Sequence, residues 1–214
     1  MEKVSRPAFG LFEKKNFLND ELCKKIRLEM SSSTGSPARF VKKSECLLDE
    51  NVRRTVEKEV SEDTRVLLSD KLSVIKGDLE AYFAITLSHP QDPKFLYYGE
   101  GDFFQRHIDK GKNPQDPQIT RDRKVSTVIF LNNETDAHGN DSYVGGSLII
   151  YGILGDPRFE SNGIKVPGTA GTLIAFRSEL FHEVTPVTGG VRYTVVDWFA
   201  SRISHTNIPL RYGD

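Results

Sequence analysis

Cysteine is scarce in this sequence, which excludes several small-fold and metal-binding classes. Only Cys23 and Cys46 occur in 214 residues, and their spacing matches no zinc-binding pattern. A disulfide-stabilised secreted scaffold would contain several more cysteines. We expect both residues to be reduced thiols that pack as small hydrophobes in a cytoplasmic protein, and a single disulfide is the less favoured alternative.

Long apolar runs and net charge are also missing. No stretch reaches the roughly 20 apolar residues of a transmembrane helix, and the charged segment 1–7 lacks the apolar core of a signal peptide. The formal net charge is −1, so no overall field attracts nucleic acid or an anionic membrane. We therefore expect no membrane partner, and the composition argues against nucleic acid. The oligomeric state stays open.

The composition is that of an ordinary globular chain, with 37% hydrophobic and 28% charged residues. A length of 214 residues suits one domain with a substantial core. We expect a single domain over 1–214. It would comprise N-terminal strands and supporting helices over 1–94, a β-rich core over 95–200 and a tail over 201–214.

Two helices are predicted in the N-terminal part. Asn19-Asp20 offers an N-cap for a helix over Glu21–Met30, where Leu22, Ile26 and Met30 share one face. A longer helix should begin at about Ser61 and bury the side chains that recur at three- and four-residue steps, namely Leu68, Leu72, Ile75, Leu79 and Phe83.

The rest of the chain favours strands. We expect a first strand over 8–14, a polar turn over 31–37 and weak strands over 38–48 and 51–60. From Phe95 onward, short strands alternate with turns, as in a sandwich or barrel. The predicted strands are 95–98, 103–109, 124–131, 147–151, 172–177, 181–186 and 191–199. The fold class is thus mostly β with packing helices (α+β), and two antiparallel sheets in a jelly roll fit the pattern.

The end of the predicted strand 103–109 indicates a metal site. Residues two apart on a strand share a face, so His107 and Asp109 project together. His182, in a β-like run far downstream, could add a second imidazole. Two histidines and one carboxylate form the facial triad of non-haem Fe(II) oxygenases. Arg192, ten residues after His182, could bind a carboxylate through two parallel hydrogen bonds.

The order and spacing of these residues are specific. The chain resembles the Fe(II)/2-oxoglutarate-dependent dioxygenases, and most closely their prolyl 4-hydroxylase-like branch. The resemblance runs from about Phe95 to Phe199 and rests on three groups of residues. They are Tyr98, Gly101, Phe104, His107 and Asp109; Gly145-Gly146-Ser147-Leu148; and His182, Val184, Pro186, Val187, Gly190, Arg192 and Trp198.

The resemblance implies a double-stranded β-helix with N-terminal helices against one sheet. It implies that His107, Asp109 and His182 are the metal-binding and catalytic residues for Fe(II), with O2 and 2-oxoglutarate as cosubstrates and ascorbate as a possible reductant. The products would be succinate, CO2 and a hydroxylated substrate. Asp109 favours hydroxylation because halogenating relatives carry a small residue there.

The second carboxylate of 2-oxoglutarate would bind Arg192. Alternation along the last strand places Thr194 and Trp198 on the same face, with Thr194 as a further hydrogen-bonding group and Trp198 as a pocket wall. Many relatives have a tyrosine at the position of Phe104 or Phe130; here both are pocket-wall candidates without a hydroxyl. Tyr97 or Tyr98, and then Ser126 or Thr127, are the candidates to replace it.

The substrate is left open by the sequence. A prolyl residue of a protein or peptide is the first hypothesis, and a free amino acid or another small molecule is the alternative. A non-redox, cupin-like metal-binding protein is the reading from a different class, but it gives Arg192 no task. His89, His138 and His205 receive no role. The loops 110–123, 132–143 and 152–167 are either substrate walls or mobile surface.

Overall fold

The computed structural model describes residues 10–42, 45–137, 139, 141–153 and 161–201. His138, His205, the predicted tail beyond residue 201 and part of the 152–167 loop lie outside these ranges. The helices are α1 (Asp20–Ser32), α2 (Glu62–Phe83) and α3 (Gln118–Arg121). The first strands are β1 (Leu11–Lys14), β2 (Gly35–Pro37), β3 (Phe40–Lys42), β4 (Glu45–Leu47), β5 (Arg53–Arg54), β6 (Val56–Lys58), β7 (Leu87–Pro90), β8 (Lys94–Tyr98) and β9 (Phe103–His107).

The later strands are β10 (Arg123–Phe130), β11 (Asn133–Glu134), β12 (Ser142–Gly145), β13 (Leu148–Tyr151), β14 (Gly163–Val166), β15 (Leu173–Arg177), β16 (His182–Val184), β17 (Val187–Gly190) and β18 (Arg192–Ser201). Every strand predicted from Phe95 onward is present, with ends shifted by at most a few residues. Within the described residues, no helix is both long and apolar enough to cross a membrane.

Both predicted helices are present, the first with its expected N-cap and the second beginning where predicted. Asn19 Oδ1 accepts a 2.9 Å hydrogen bond from the backbone N–H of Leu22, at the start of α1. At the start of α2, Ser61 Oγ accepts from Thr64 N–H at 3.3 Å. Helix α2 is followed by the C-cap residue Ala84, whose φ of 53° is left-handed. The chain therefore leaves the helix before the two prolines that follow.

The larger sheet has the strand order β1-β15-β10-β18-β8-β6-β2, with β7 paired to the far end of β18. The apolar faces of α1 and α2 pack on one side of it. Cys23, Ile26 and Met30 from α1 join the five predicted side chains of α2 in a core that also contains Val195 and Phe199. The helices thus cover the outer face and leave the inner face to the second sheet.

The second sheet has the order β14-β13-β16-β9-β5, and its inner face packs on the larger sheet. Phe130 and Phe176 of the larger sheet share a buried cluster with Leu148 and Ile150 of the second. This cluster fills part of the space between the two sheets. The two facing antiparallel sheets confirm the predicted double-stranded β-helix.

Several segments differ from the sequence prediction. The predicted turn over 31–37 contains β2, which pairs with β6 and so extends the larger sheet. Strands β12 and β14 lie in segments predicted as loops, and β17 follows Pro186 and contains two glycines. These strands were missed because glycine and polar residues carry no apolar alternation, whereas their backbone hydrogen bonds to a neighbouring strand need none.

Candidate metal centre

A cavity of about 590 Å³ lies between the two sheets. Its walls come from β8, β9, β10, β16 and β18 and from the loop that follows β9. The three predicted metal ligands, Arg192 and Trp198 all line this one space. The residues proposed from separate parts of the sequence are therefore brought together by the sheets.

Strand pairing places the two histidines side by side. His182 on β16 is the direct partner of His107 on β9, and the two ring centroids are 4.1 Å apart. Asp109 follows two residues after His107. Its Oδ1 lies 3.7 Å from His107 Nε2, and its Oδ2 lies 3.4 Å from His182 Nε2. All three donor atoms fall within 4.8 Å of one another, which fits a single ion.

The imidazole rings are oriented by backbone carbonyls. His107 Nδ1 is 2.7 Å from the Gln105 carbonyl oxygen, and His182 Nδ1 is 3.0 Å from that of Leu180. A carbonyl can only accept, so each Nδ1 carries the proton and each Nε2 presents its lone pair. Both lone pairs face Asp109, which is the arrangement that a divalent metal requires.

The electrostatics keep this set in its metal-binding protonation state. Burial, reinforced by the neighbouring His182, lowers the pKa of His107 to about 3, so its ring is neutral at physiological pH. Burial alone would raise the pKa of Asp109, but the adjacent His182, His107 and Arg123 hold it below its ordinary value. A neutral His107 imidazole and the Asp109 carboxylate are thus available as ligands.

Asp109 is held by groups that the sequence prediction did not assign. Ser126 Oγ donates a 2.6 Å hydrogen bond to Asp109 Oδ2 and is 2.9 Å from Ser178 Oγ. The backbone N–H of Asp109 donates to the Ser178 carbonyl at 3.1 Å. The sequence allows Ser126 to hydrogen-bond the cosubstrate, but in the structure its hydroxyl donates to the Asp109 carboxylate instead. No sequence pattern marks Ser178, because its role depends on strand pairing.

Arg192 is buried with only 2% of its surface exposed. Its guanidinium carbon lies 4.9 Å from the centre of the Tyr98 ring, and Nη1 donates to Thr194 Oγ1 at 3.2 Å. Among the described residues no carboxylate reaches it, and Nε has no hydrogen-bond partner. A buried guanidinium without an anion is costly, so this environment suits an anionic ligand.

The faces of β18 alternate as predicted. Arg192, Val196 and Trp198 line the cavity, while Val195 and Phe199 pack under the helices. Thr194 is fully buried beneath Arg192. Trp198 forms part of the cavity wall, and the Arg123 guanidinium stacks 3.7 Å above its ring.

The adjacent tyrosines face opposite ways. Tyr98 lines the cavity, whereas Tyr97 packs edge-on against Tyr193 with ring centroids 5.5 Å apart on the other face. This placement removes Tyr97 from the candidate cosubstrate ligands, because side chains one apart on a strand cannot share a face. Of the two tyrosines, only Tyr98 remains a candidate to supply the hydroxyl that Phe104 and Phe130 lack.

The two phenylalanines also differ in position. Phe104 lines the cavity and stacks on His107, with centroids 3.5 Å apart. Phe130 is fully buried in the inter-sheet cluster, and the Arg192 guanidinium carbon lies 5.6 Å from its ring. Phe104 is thus part of the cavity wall, as predicted. Phe130 is not part of the wall and instead packs against the Arg192 guanidinium.

The loop 110–123 is an ordered wall of the cavity. The buried carboxylate of Asp116 accepts from Asn113 N–H at 2.9 Å, and Gly111 N–H donates to the Thr120 carbonyl at 3.0 Å. Gly111 and Asp116 both line the cavity. The substrate-wall interpretation of this loop is therefore the one that its position supports.

Comparisons with known proteins agree with this geometry. The sequence model of the 2OG-Fe(II) oxygenase superfamily matches residues 93–200, about half of the chain. A PKHD-type hydroxylase of Rhizorhabdus wittichii is 34% identical over 114 residues, which are 52% of this chain and 44% of the relative. The PKHD-type hydroxylase YbiX of Escherichia coli is 32% identical over 125 residues, 57% of this chain and 49% of the relative. The chain thus spans about half the length of the curated relatives it matches.

Two solved structures share the fold. A Pseudomonas putida prolyl-4-hydroxylase superposes with a TM-score of 0.66 at 22% identity, covering 91% of this chain and 94% of the other. A prolyl hydroxylase in complex with a hypoxia-inducible-factor peptide, from Trichoplax adhaerens, gives 0.64 at 20% identity, covering 90% and 84%. The family match, the β-helix and the order of the motifs agree, and the chain belongs to the 2OG-Fe(II) oxygenase superfamily.

Proposed function

We propose that this protein is an Fe(II)- and 2-oxoglutarate-dependent hydroxylase that acts on a prolyl residue of a peptide or protein. One observation carries the proposal. The donor atoms of His107, Asp109 and His182 lie within 4.8 Å of one another, and the cavity that contains them is also lined by Arg192. A metal-binding cupin without redox activity would need the three ligands but would have no use for Arg192.

The ligand set fits Fe(II). Two imidazole nitrogens and one carboxylate leave further coordination positions free for small ligands, as in the facial triad. The carbonyl contacts to the two Nδ1 atoms and the Ser126 contact to Asp109 fix the donors before metal arrives. Bound there, Fe(II) would supply the oxygen chemistry in which 2-oxoglutarate and O2 give succinate and CO2, and the second oxygen atom enters a substrate C–H bond.

The protein's own residues would bind and orient the cosubstrate. Arg192 would bind the distal carboxylate through its paired N–H groups, and Thr194 would fix the guanidinium from beneath. Tyr98 faces the cavity next to the Arg192 guanidinium, so its hydroxyl is the one from this tyrosine pair that could contact the cosubstrate. Phe104 and Trp198 would exclude water from the two sides of the bound pair.

The prolyl substrate is supported by the relatives. The similar curated proteins are named hydroxylases, and one protein of the same fold is described in complex with a peptide. The cavity continues to the protein surface at Phe181, which is 42% exposed, so a chain segment could reach the metal site from outside.

A two-stage experiment tests the proposal. Anaerobic protein with Fe(II) and 2-oxoglutarate should show a weak visible charge-transfer band, whereas Fe(II) alone should not. In air, proline-containing peptides should then gain one oxygen by mass spectrometry with matching succinate. The absence of the band in fully metallated protein would refute the 2-oxoglutarate role, and oxidation of free amino acids only would refute the peptide substrate.

A further inference from the structure

The mouth of the cavity is strongly basic, although the chain as a whole has a net charge of −1. Eight lysine and arginine residues line the cavity, namely Arg39, Arg53, Lys94, Arg106, Lys110, Lys112, Arg123 and Arg192. The lining carboxylates are only Glu57, Asp109 and Asp116. The positive excess is therefore local to this cavity, which also contains the three candidate metal ligands.

The carboxylates of the cavity are already engaged. Glu57 pairs with Lys94 at 3.0 Å, Asp109 belongs to the metal site, and Asp116 holds the 110–123 loop. Arg123 stacks on Trp198 and contacts the Asp109 carbonyl at 3.4 Å. Within the described residues, no salt bridge joins Arg53, Lys110 or Lys112 to these three carboxylates.

Arg53 lies on one side of the mouth, next to a metal ligand. It pairs with Phe104 across β5 and β9, and its guanidinium carbon lies 4.6 Å from the Phe104 ring centre. That ring in turn stacks on His107. Arg53 Nη1 donates to the Arg39 carbonyl at 2.9 Å, whereas its Nε is buried without a hydrogen-bond partner among the described residues. The Arg53 side chain is thus positioned by the Arg39 carbonyl and the Phe104 ring, and its Nε–H still lacks an acceptor among the described residues.

Lysine side chains lie on the opposite side. Lys112 Nζ is 5.2 Å from the ring centre of Phe181, the residue before His182. Lys110 follows Asp109 and donates its backbone N–H to the Ser178 carbonyl at 3.1 Å. Within the described ranges no carboxylate lies at salt-bridge distance from Arg53, Lys110 or Lys112.

Resting on the proposed function, we propose that the substrate is an acidic peptide, with a carboxylate side chain within a residue or two of the prolyl residue that is oxidised. Cations on both sides of the metal ligands fit a chain segment that crosses the mouth with acidic groups flanking its centre. Arg53 recognises one of these carboxylates, and Lys110 and Lys112 provide positive potential on the other side.

Matched peptides test this directly. Three peptides with one central proline carry Asp, Asn or Lys at the flanking positions, and oxygen incorporation and succinate are measured with each. We expect kcat/KM to be about tenfold higher for the Asp peptide than for the Asn peptide, lowest for the Lys peptide, and the difference to shrink with added salt. Equal rates, or a preference for Lys, would overturn the inference while leaving the hydroxylase function intact.

Charge reversal identifies the residue. Arg53→Glu should remove the preference for Asp over Asn, while Arg54→Glu should keep it. Arg54 is exposed and lies over Phe103 rather than in the cavity, so it controls for the change in net charge. If Arg53→Glu weakens 2-oxoglutarate binding instead, measured from the charge-transfer band, the basic mouth serves the cosubstrate and the proposal is wrong.

A binding measurement covers the case in which no peptide is oxidised. Anaerobic enzyme loaded with Fe(II) and 2-oxoglutarate is titrated with fluorescently labelled Asp and Asn peptides. Tighter binding of the Asp peptide, lost in Arg53→Glu, supports acidic recognition even if the target residue is not proline. Equal binding of the two peptides overturns it, whereas absence of the charge-transfer band in this sample would count against the proposed function instead.

Discussion

Tyr143 and Arg192 both approach Gly146 closely: a Cβ added there would lie 3.1 Å from Arg192 Cδ and 3.4 Å from Tyr143 Cδ2. In the described part of the chain, neither the buried Tyr143 hydroxyl nor Arg192 Nε has a hydrogen-bond partner. Burial raises the pKa of Tyr143, while the guanidinium acts in the opposite direction. A carboxylate held by Arg192 would therefore lie close to the Tyr143 hydroxyl, a group that the side chains of Phe104 and Phe130 lack.

We therefore expect Tyr143→Phe to weaken 2-oxoglutarate binding about fivefold to tenfold, because one hydrogen bond to a charged group is lost. Iron affinity should not change. The measurement is a titration of the charge-transfer band with 2-oxoglutarate. Tyr97→Phe is the matched control, since Tyr97 lies on the outer face of β8, and an unchanged affinity in Tyr143→Phe would show that its hydroxyl has no such contact.

Arg192→Met should have opposite effects on the free and the ligand-bound protein. Replacing a buried guanidinium that lacks an anion by an apolar side chain should raise the free energy of unfolding of the ligand-free protein by about 1–3 kcal/mol. The stabilisation that wild-type protein gains from 2-oxoglutarate should disappear. Thermal melts with and without 2-oxoglutarate test both, and Arg192→Lys, which keeps the charge, should retain part of the ligand effect. A full ligand effect in Arg192→Met would place the anchor elsewhere.

Removal of the metal ligand and of its supporting hydroxyl should give graded losses. Asp109→Ala should abolish iron-dependent succinate formation, and Ser126→Ala should weaken Fe(II) binding about tenfold because Asp109 Oδ2 loses its hydrogen bond. Anaerobic competition with a chromogenic chelator measures the affinity. Thr127→Val is the control, as its hydroxyl donates to the Asp197 carbonyl instead. Equal affinities for Ser126→Ala and wild type would make that contact dispensable.

Asp197 gives a pH dependence that is separate from the metal site. Burial raises its pKa from 3.8 to about 7, against the opposing effect of the Trp198 N–H. The folded state thus favours the protonated form, and this contribution to stability is lost as pH rises from about 4 through 7. Asp197→Asn should raise the free energy of unfolding by about 1–3 kcal/mol at pH 8 and change little at pH 4.

Denaturant unfolding at pH 4, 6 and 8 tests this expectation. Asp70→Asn, an exposed position on α2, provides the control for removing one carboxylate. A difference between Asp197→Asn and wild type that does not vary with pH would indicate that the carboxyl titrates normally.

The sequence allowed the three candidate metal ligands and Arg192 to be grouped in one site, because strand periodicity and motif order both restrict them. The structure brings these four residues to one cavity, and their roles as ligands stay a prediction. Alternation on β18 assigned Arg192 and Trp198 to the inner face without any coordinates. The same rule showed that only one of Tyr97 and Tyr98 could face the cavity, but not which one, since the register with β18 is set by long-range pairing.

Other features depend on contacts that no local pattern records. Ser178 approaches Asp109 only because β15 pairs with β10, and Arg53 reaches Phe104 only because β5 joins the second sheet. Both pairings join segments that are far apart in the sequence. The basic mouth was likewise invisible in a net charge of −1, because charge balance over the whole chain says nothing about one cavity.

The short segment from Arg53 to Lys58 supplies a strand to each of the two sheets: β5 borders β9, which carries the candidate metal ligand His107, and β6 borders β8. A fragment starting at residue 93, where the family match begins, would lose both neighbours. Its β8 and β9 would become unprotected edges with unpaired N–H and carbonyl groups, prone to self-association. The part of the chain that matches the family therefore depends on these N-terminal residues, whose strands β5 and β6 each extend one of the two sheets.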